Sequence, residues 1–172
     1  LMYFQGIGVT RDPTRGWELL NRSATGGNTA AMVELGARFE SGHGAEPNYA
    51  MAMSWYRKAG AAGDPVGSYN LAAMYARGAG VAGDAVRAWA WFRVAEKSGS
   101  LAAKEQLESL RLRMTEGQLD AARQLAERLR EDDPASTLDS PRLGRPLPKV
   151  LSRDEVDRLI TGAKTAGEDG GR

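Results

Sequence analysis

The chain has 172 residues, 42% of them hydrophobic, and a formal charge of +1 at pH 7. It has no Cys and one His, His43, which excludes a disulfide framework, thiolate chemistry and a His-rich metal site within one chain. The near-neutral charge argues against a strongly basic nucleic-acid domain, and no apolar run approaches the roughly 20 residues that cross a bilayer. Alanine (27) and glycine (21) are both abundant, although one is the best helix former and the other among the worst.

A 36-residue register resolves that contrast. Gly6, Gly42 and Gly78 share it, as do Gly8, Gly44 and Gly80, and Gly27, Gly63 and Gly99. The aromatics Tyr3, Phe39 and Tyr75 keep the same spacing, with Leu35, Leu71 and Leu107, and with Leu19, Trp55 and Trp91. Asp12, Asn48 and Asp84 form one column of N-cap residue types, and Asn28, Asp64 and Ser100 another. Pro13 and Pro65 follow their caps at the first helical position, where a missing N–H costs nothing. Each unit therefore predicts two antiparallel helices: helix B at about 13–26, 49–62 and 85–98, and helix A at about 29–41, 65–77 and 101–113. Trp55, Ala59 and Ala62 mark one face of helix B. The opening LMYFQG shares register with the end of helix A rather than reading as a tag remnant, so the chain is expected to begin inside a repeat. One hairpin cannot bury its apolar face, whereas stacked hairpins can.

After helix A of the third unit, Thr115 and Gln118 form a capping box. Leu119, Ala122, Leu125, Ala126 and Leu129 then predict an amphipathic closing helix to about 131. Its polar side is Asp120, Arg123, Glu127, Arg128 and Arg130. From residue 132 the composition changes: Pro134, Pro141, Pro146 and Pro148 predict an extended linker over 132–148. A second capping box, Ser152 and Glu155, precedes a short helix at about 153–164 carrying Val156, Leu159 and Ile160, and the end reads as disordered. The expected organisation is a repeat array over 1–131 and a tail over 132–172. The fold class is all-α, a right-handed α/α solenoid of antiparallel helix pairs.

The stretches MYFQGIGVTRD, LGARFESGHGAEPN with SWYRKAGAAGD, and YNLAAMYARGAGVAGDAVRAWAWFRVAEKSG resemble Sel1-like repeats, relatives of tetratricopeptide repeats. Ala72, Ala45 and Glu96 depart from the family pattern and read as drift. The resemblance implies a non-catalytic scaffold that holds a protein or peptide in a concave groove lined by helix A. The tail segment DDPASTLDSPRLGRPLPKVLSRDEVDRLI resembles the interdomain segment of Xer-type tyrosine recombinases. That family's catalytic residues fall beyond residue 172, so none carries over. The alternative function is an accessory segment of a fused or truncated recombinase. The tail holds 7 Lys+Arg against 8 Asp+Glu, so it has no basic excess for phosphates.

Other candidate chemistry resolves into the repeat. Gly78, Gly80 and Gly83 match a G-x-G-x-x-G pattern, but a dinucleotide site needs a strand before it, and a helix is predicted there. His43 stands where other units have Ile7 and Ala79, which makes it a turn residue. Trp17, Trp55, Trp89 and Trp91 fall in core columns. No catalytic residue, metal ligand or cofactor is assigned, and no nucleic acid or membrane partner is expected for this chain alone. The candidate partner-binding residues are the helix-A positions left over by the core pattern: Glu34, Asn70 and Gln106, and Ser41, Arg77 and Arg113. Spaced by seven, they share roughly one helical face, and Arg77 with Arg113 suggests a fork for an anionic group. The compartment is not legible.

Overall fold

A computed structural model describes residues 2–42 and 46–131. His43 and the tail assigned to a linker and a helix at 153–164 lie outside the described residues. Among the described residues there are eight helices and no strand: α1 (Met2–Gln5), α2 (Pro13–Thr25), α3 (Thr29–Ser41), α4 (Tyr49–Ala61), α5 (Pro65–Arg77), α6 (Ala85–Lys97), α7 (Leu101–Arg111) and α8 (Glu116–Glu131). α3, α5 and α7 are the successive A helices, and α2, α4 and α6 the B helices. α1 is the short segment expected in register with the end of helix A.

The caps explain where these helices start. The side chains of Asp12, Asn28, Asn48, Asp64 and Asp84 accept from the backbone N–H three residues on, at 2.9–3.0 Å. Each satisfies a donor that the first turn leaves orphaned. Ser100 has the same extended backbone but makes no side-chain cap bond. Gly42 and Gly78 end α3 and α5 at φ 72° and 71°, the left-handed geometry that glycine accepts without a Cβ penalty. The A-to-B turn is closed identically in each unit: Asp12, Asn48 and Asp84 donate their backbone N–H to the carbonyls of Tyr3, Phe39 and Tyr75.

Packing follows the same register. α3 pairs with α4 and α5 with α6, while α4–α5 and α6–α7 join neighbouring units. Small residues make the approach possible. A Cβ on Gly36 would come within 2.5 Å of the Tyr56 ring, and one on Gly67 within 2.5 Å of the Ala59 Cβ. The buried core runs through the array and includes Leu35, Trp55, Tyr56, Leu71, Tyr75, Trp91 and Phe92. Trp91 lies against Gly60 of the preceding B helix. Leu19, in the same column, is 40% exposed, since no described B helix precedes α2. Ala62 also departs from the expected buried face, as it is the exposed C-cap of α4.

The last pair differs. α7 ends at Arg111, two residues short of the expected 113, and α8 packs on α6 instead of pairing with α7. The cause lies in two columns. Glu108 stands where Gly36 and Ala72 are buried, and Lys104 where Met32 and Ser68 are buried. Both charged residues are exposed, because burying an unpaired charge against a partner helix costs too much. α8 begins with the predicted capping box: Gln118 N–H donates to Thr115 Oγ1, and Thr115 N–H to Gln118 Oε1. It buries Leu119, Ala122, Ala126 and Leu129 and exposes Asp120, Arg123, Glu127 and Arg128.

Candidate functional site

The A helices share one partly exposed stripe. On α3 it comprises the exposed Ala30 and Ala37 with the half-buried Val33, and on α5 Val66, Tyr69 and Ala73. Val66 is 52% exposed, and Tyr69 rests edge-on against Phe92 at 5.1 Å. On α7 the equivalent positions are Ala102, Glu105 and Ser109, all exposed. The stripe is therefore apolar across two units and polar on the third.

The six residues singled out from sequence border this stripe unevenly. Glu34 pairs with Arg38 of its own helix at 2.7 Å. Arg38 in turn lies over the Phe4 ring at 3.7 Å, so this pair braces the first two units. Ser41 is exposed and donates its hydroxyl to the Arg38 carbonyl at 3.2 Å. Asn70 and Gln106 are half-buried at equivalent places on α5 and α7. Arg113 is exposed and lies beyond the end of α7, its N–H bonded to the Leu110 carbonyl. Arg77 is already paired with Glu40. The fork drawn from their 36-residue spacing therefore does not rest on matched helical positions.

What the structure assembles instead is a polar cluster of Glu40, Tyr56, Asn70 and Arg77. Arg77 of α5 ion-pairs with Glu40 of α3, and Tyr56 of α4 donates its hydroxyl to the other Glu40 oxygen at 2.8 Å. Asn70 of α5 stands beside the Tyr56 phenol, where its side chain slightly favours the ionised form. Burial, and then the Glu40 carboxylate, push the Tyr56 phenol far above its ordinary range, so it remains a hydrogen-bond donor. The pairs Arg38–Glu34, Arg87–Asp84, Arg93–Glu96, Arg111–Glu108 and Arg123–Asp120 each stay within about one turn of a single helix. Arg77–Glu40 joins two units.

Asn70 and Arg77 of this cluster are among the residues singled out from sequence, whereas Glu40, Tyr56 and the apolar stripe are not. The available signal was a departure from the repeat. Glu40 stands in a column with Phe4 and Ala76, and Tyr56 in one with Leu20 and Phe92. Polar atoms in columns that are apolar elsewhere mark a local demand. Among the described residues no group of three or more His, Cys, Asp or Glu is placed to hold a metal ion. No helix of the described residues is long and apolar enough to cross a membrane. The turn from Gly78 to Gly83 joins two helices, as a repeat turn does.

Stacked helical hairpins with recurring glycine turns define a solenoid-type scaffold. The Sel1 repeat family model matches residues 1–28, 29–64 and 65–100, and the chain belongs to that family. A Sel1 repeat protein from Oxalobacter formigenes is 33% identical with a TM-score of 0.58, over 63% of this chain and 81% of that one. A protective antigen of uropathogenic Escherichia coli that displays the same repeat fold is 28% identical with a TM-score of 0.59, over 94% of this chain and 36% of its own. Short segments also match tyrosine recombinases. XerD of Caulobacter vibrioides is 54% identical over 39 residues, 23% of this chain and 13% of the recombinase. XerC of Erythrobacter litoralis is 55% identical over 42 residues, 24% of this chain and 14% of the recombinase. The chain thus spans only a small part of the curated relatives that it matches. Sel1 repeat proteins typically act as non-catalytic scaffolds that mediate protein–protein interaction.

Proposed function

We propose that the chain is a scaffold that holds a peptide or partner protein on the open face of α3, α5 and α7. The observation behind this is the partly exposed apolar stripe of Val33, Val66, Tyr69 and Ala73 beside the Glu40–Tyr56–Asn70–Arg77 cluster. Apolar floors with a few fixed polar groups are what peptide grooves use for affinity and orientation. Glu34, Ser41, Gln106 and Arg113 form the outer rim of the same site. Glu34 and Glu40 are each matched by an arginine, so the partner is expected to bind through apolar contact and hydrogen bonds, with weak dependence on salt. The test is affinity capture from a native bacterial lysate with wild type and an Asn70→Ala/Arg77→Ala double variant of matched helicity. Loss of the same partners from the variant supports the groove, and identical partners from both place binding elsewhere.

The recombinase matches favour a second reading, an accessory segment of a DNA-recombination protein. Salt-dependent binding of the chain to duplex DNA in a mobility-shift assay supports it. No shift at low salt removes it.

A further inference from the structure

The first unit exposes apolar residues at positions that the next two units cover. Met2, Ile7 and Leu19 are 56%, 59% and 40% exposed. In the column of Met2, Arg38 and Met74 are buried, and in the column of Leu19, Trp55 and Trp91 are buried. Ala79, in the column of Ile7, is half-buried against the core. We propose that this end of the array is a second interaction surface, and that it takes a helix with the chemistry of helix B from another hairpin repeat protein. It shares no residue with the stripe on α3 and α5.

The contact that this face would make already exists inside the chain, where a B helix covers the unit that follows it. Gly80 packs so closely on Tyr49 that a Cβ there would clash with it, and a Cβ on Gly60 would lie 3.2 Å from the Trp91 ring. α4 thus offers an aromatic residue in its first turn and a glycine eleven residues later, about three turns along the same face. In the first unit the matching groups have no such cover. Gly8, in the column of Gly80, has only the Met2 side chain within 4 Å. The first unit is nevertheless held in the stacking arrangement. Asp12 N–H donates to the Tyr3 carbonyl as Asp84 N–H does to that of Tyr75, and Arg15 lies over the Tyr3 ring at 5.3 Å as Arg87 lies over that of Tyr75 at 5.8 Å. Ser23 is small where Ala59 and Ala95 are fully buried, so a helix can approach closely. Exposed Glu18 and Arg22 flank Leu19, the polar rim around an apolar centre that protein interfaces carry.

The occupant follows from the other end of the array. Among the described residues α2 is covered by α3, α4 by α5, and α6 by both α7 and α8. A second copy of the chain therefore has no free B helix to offer, and head-to-tail stacking of the chain on itself is closed. A B helix of a different hairpin array fits, because stacked hairpins bury what one hairpin leaves exposed.

The test supplies such a helix in register. An extended chain that repeats residues 37–72 in front of Leu1 keeps the 36-residue spacing and brings a copy of α4 to the exposed face. Its thermal unfolding is expected to remain a single transition with a midpoint at least about 4 °C above that of the 172-residue chain. Leu19→Glu is expected to lower the midpoint by no more than about 2 °C in the 172-residue chain. In the extended chain, where Leu19 is covered, the same change is expected to lower it by more than about 6 °C. A separate transition for the added repeat, or equal effects of Leu19→Glu in the two chains, overturns the proposal. So does a concentration-dependent dimer of the 172-residue chain, seen by sedimentation and lost in Leu19→Glu, which assigns the face to a second copy. None of these readouts involves the stripe on α3 and α5, so the outcome is independent of whether partner capture succeeds or fails.

Discussion

The middle of the array and its last pair follow the same 36-residue sequence register yet pack differently. α5 and α6 close on each other through small residues and bury Ala72, Tyr75 and Phe92. α7 keeps Ala103 and Leu107 buried against the preceding unit but turns Lys104, Glu108 and Arg111 to solvent. α8 then settles on α6. Each repeat thus makes two separate contacts, one with the unit before and one within the hairpin, and a helix A can keep the first while losing the second.

Substitutions in the two regions sharpen the contrast. Trp91→Ala, at a side chain with no exposed surface, is expected to cost about 3–5 kcal/mol of unfolding free energy. Leu112→Ala at the other end, where 79% of the residue is exposed, is expected to change it by less than about 0.5 kcal/mol. Chemical denaturation followed by circular dichroism reads both. Equal losses would show that the terminal pair shares the central core.

The hairpin contact is next in size. Gly36→Val places a branched side chain where a single Cβ already meets the Tyr56 ring, and overpacking of this kind costs about 1–3 kcal/mol. Glu108→Ala restores a small residue in the matching column and is expected to leave stability within about 0.5 kcal/mol. Thermal melts distinguish the two.

The caps give a smaller effect. Asp84→Ala removes an acceptor 2.9 Å from the Arg87 N–H and should cost about 1 kcal/mol. Ser100→Ala, with no side-chain cap bond to lose, should cost little. A comparable loss at both positions would show that Ser100 caps α7 in solution.

The smallest stability effect is expected at the candidate site. Arg77 is largely exposed, so Arg77→Ala should cost no more than about 1 kcal/mol, measured by urea denaturation. Its effect on partner capture should be larger than that. A stability loss of several kcal/mol would recast the Glu40–Tyr56–Asn70–Arg77 cluster as a structural brace rather than a binding feature.

Most of the architecture is legible in the sequence because it is written in local chemistry repeated at one interval. Glycine columns mark the turns, Asp and Asn columns the helix starts, and the Trp55 and Trp91 column the core. The site is only partly legible. Asn70 and Arg77 are reachable as helix-A positions outside the core pattern. Glu40 and Tyr56 are not, because their significance comes from α3, α4 and α5 converging on one point, and the 36-residue comparison treats such departures as drift. The end of α7 departs from its expected place for a related reason: the spacing continues to Arg113, but the partner helix that would sustain the last turn is seated elsewhere.

The order of helices, their caps and the solenoid plan were determined by the sequence itself, since each depends on residues within a few positions of one another and on a period that repeats them. Only the tertiary structure decided which polar residues meet, which apolar stripe stays partly exposed and where α8 docks. Those outcomes depend on whether a small or a charged residue faces the neighbouring helix, and that neighbour is identified only once the chain has folded.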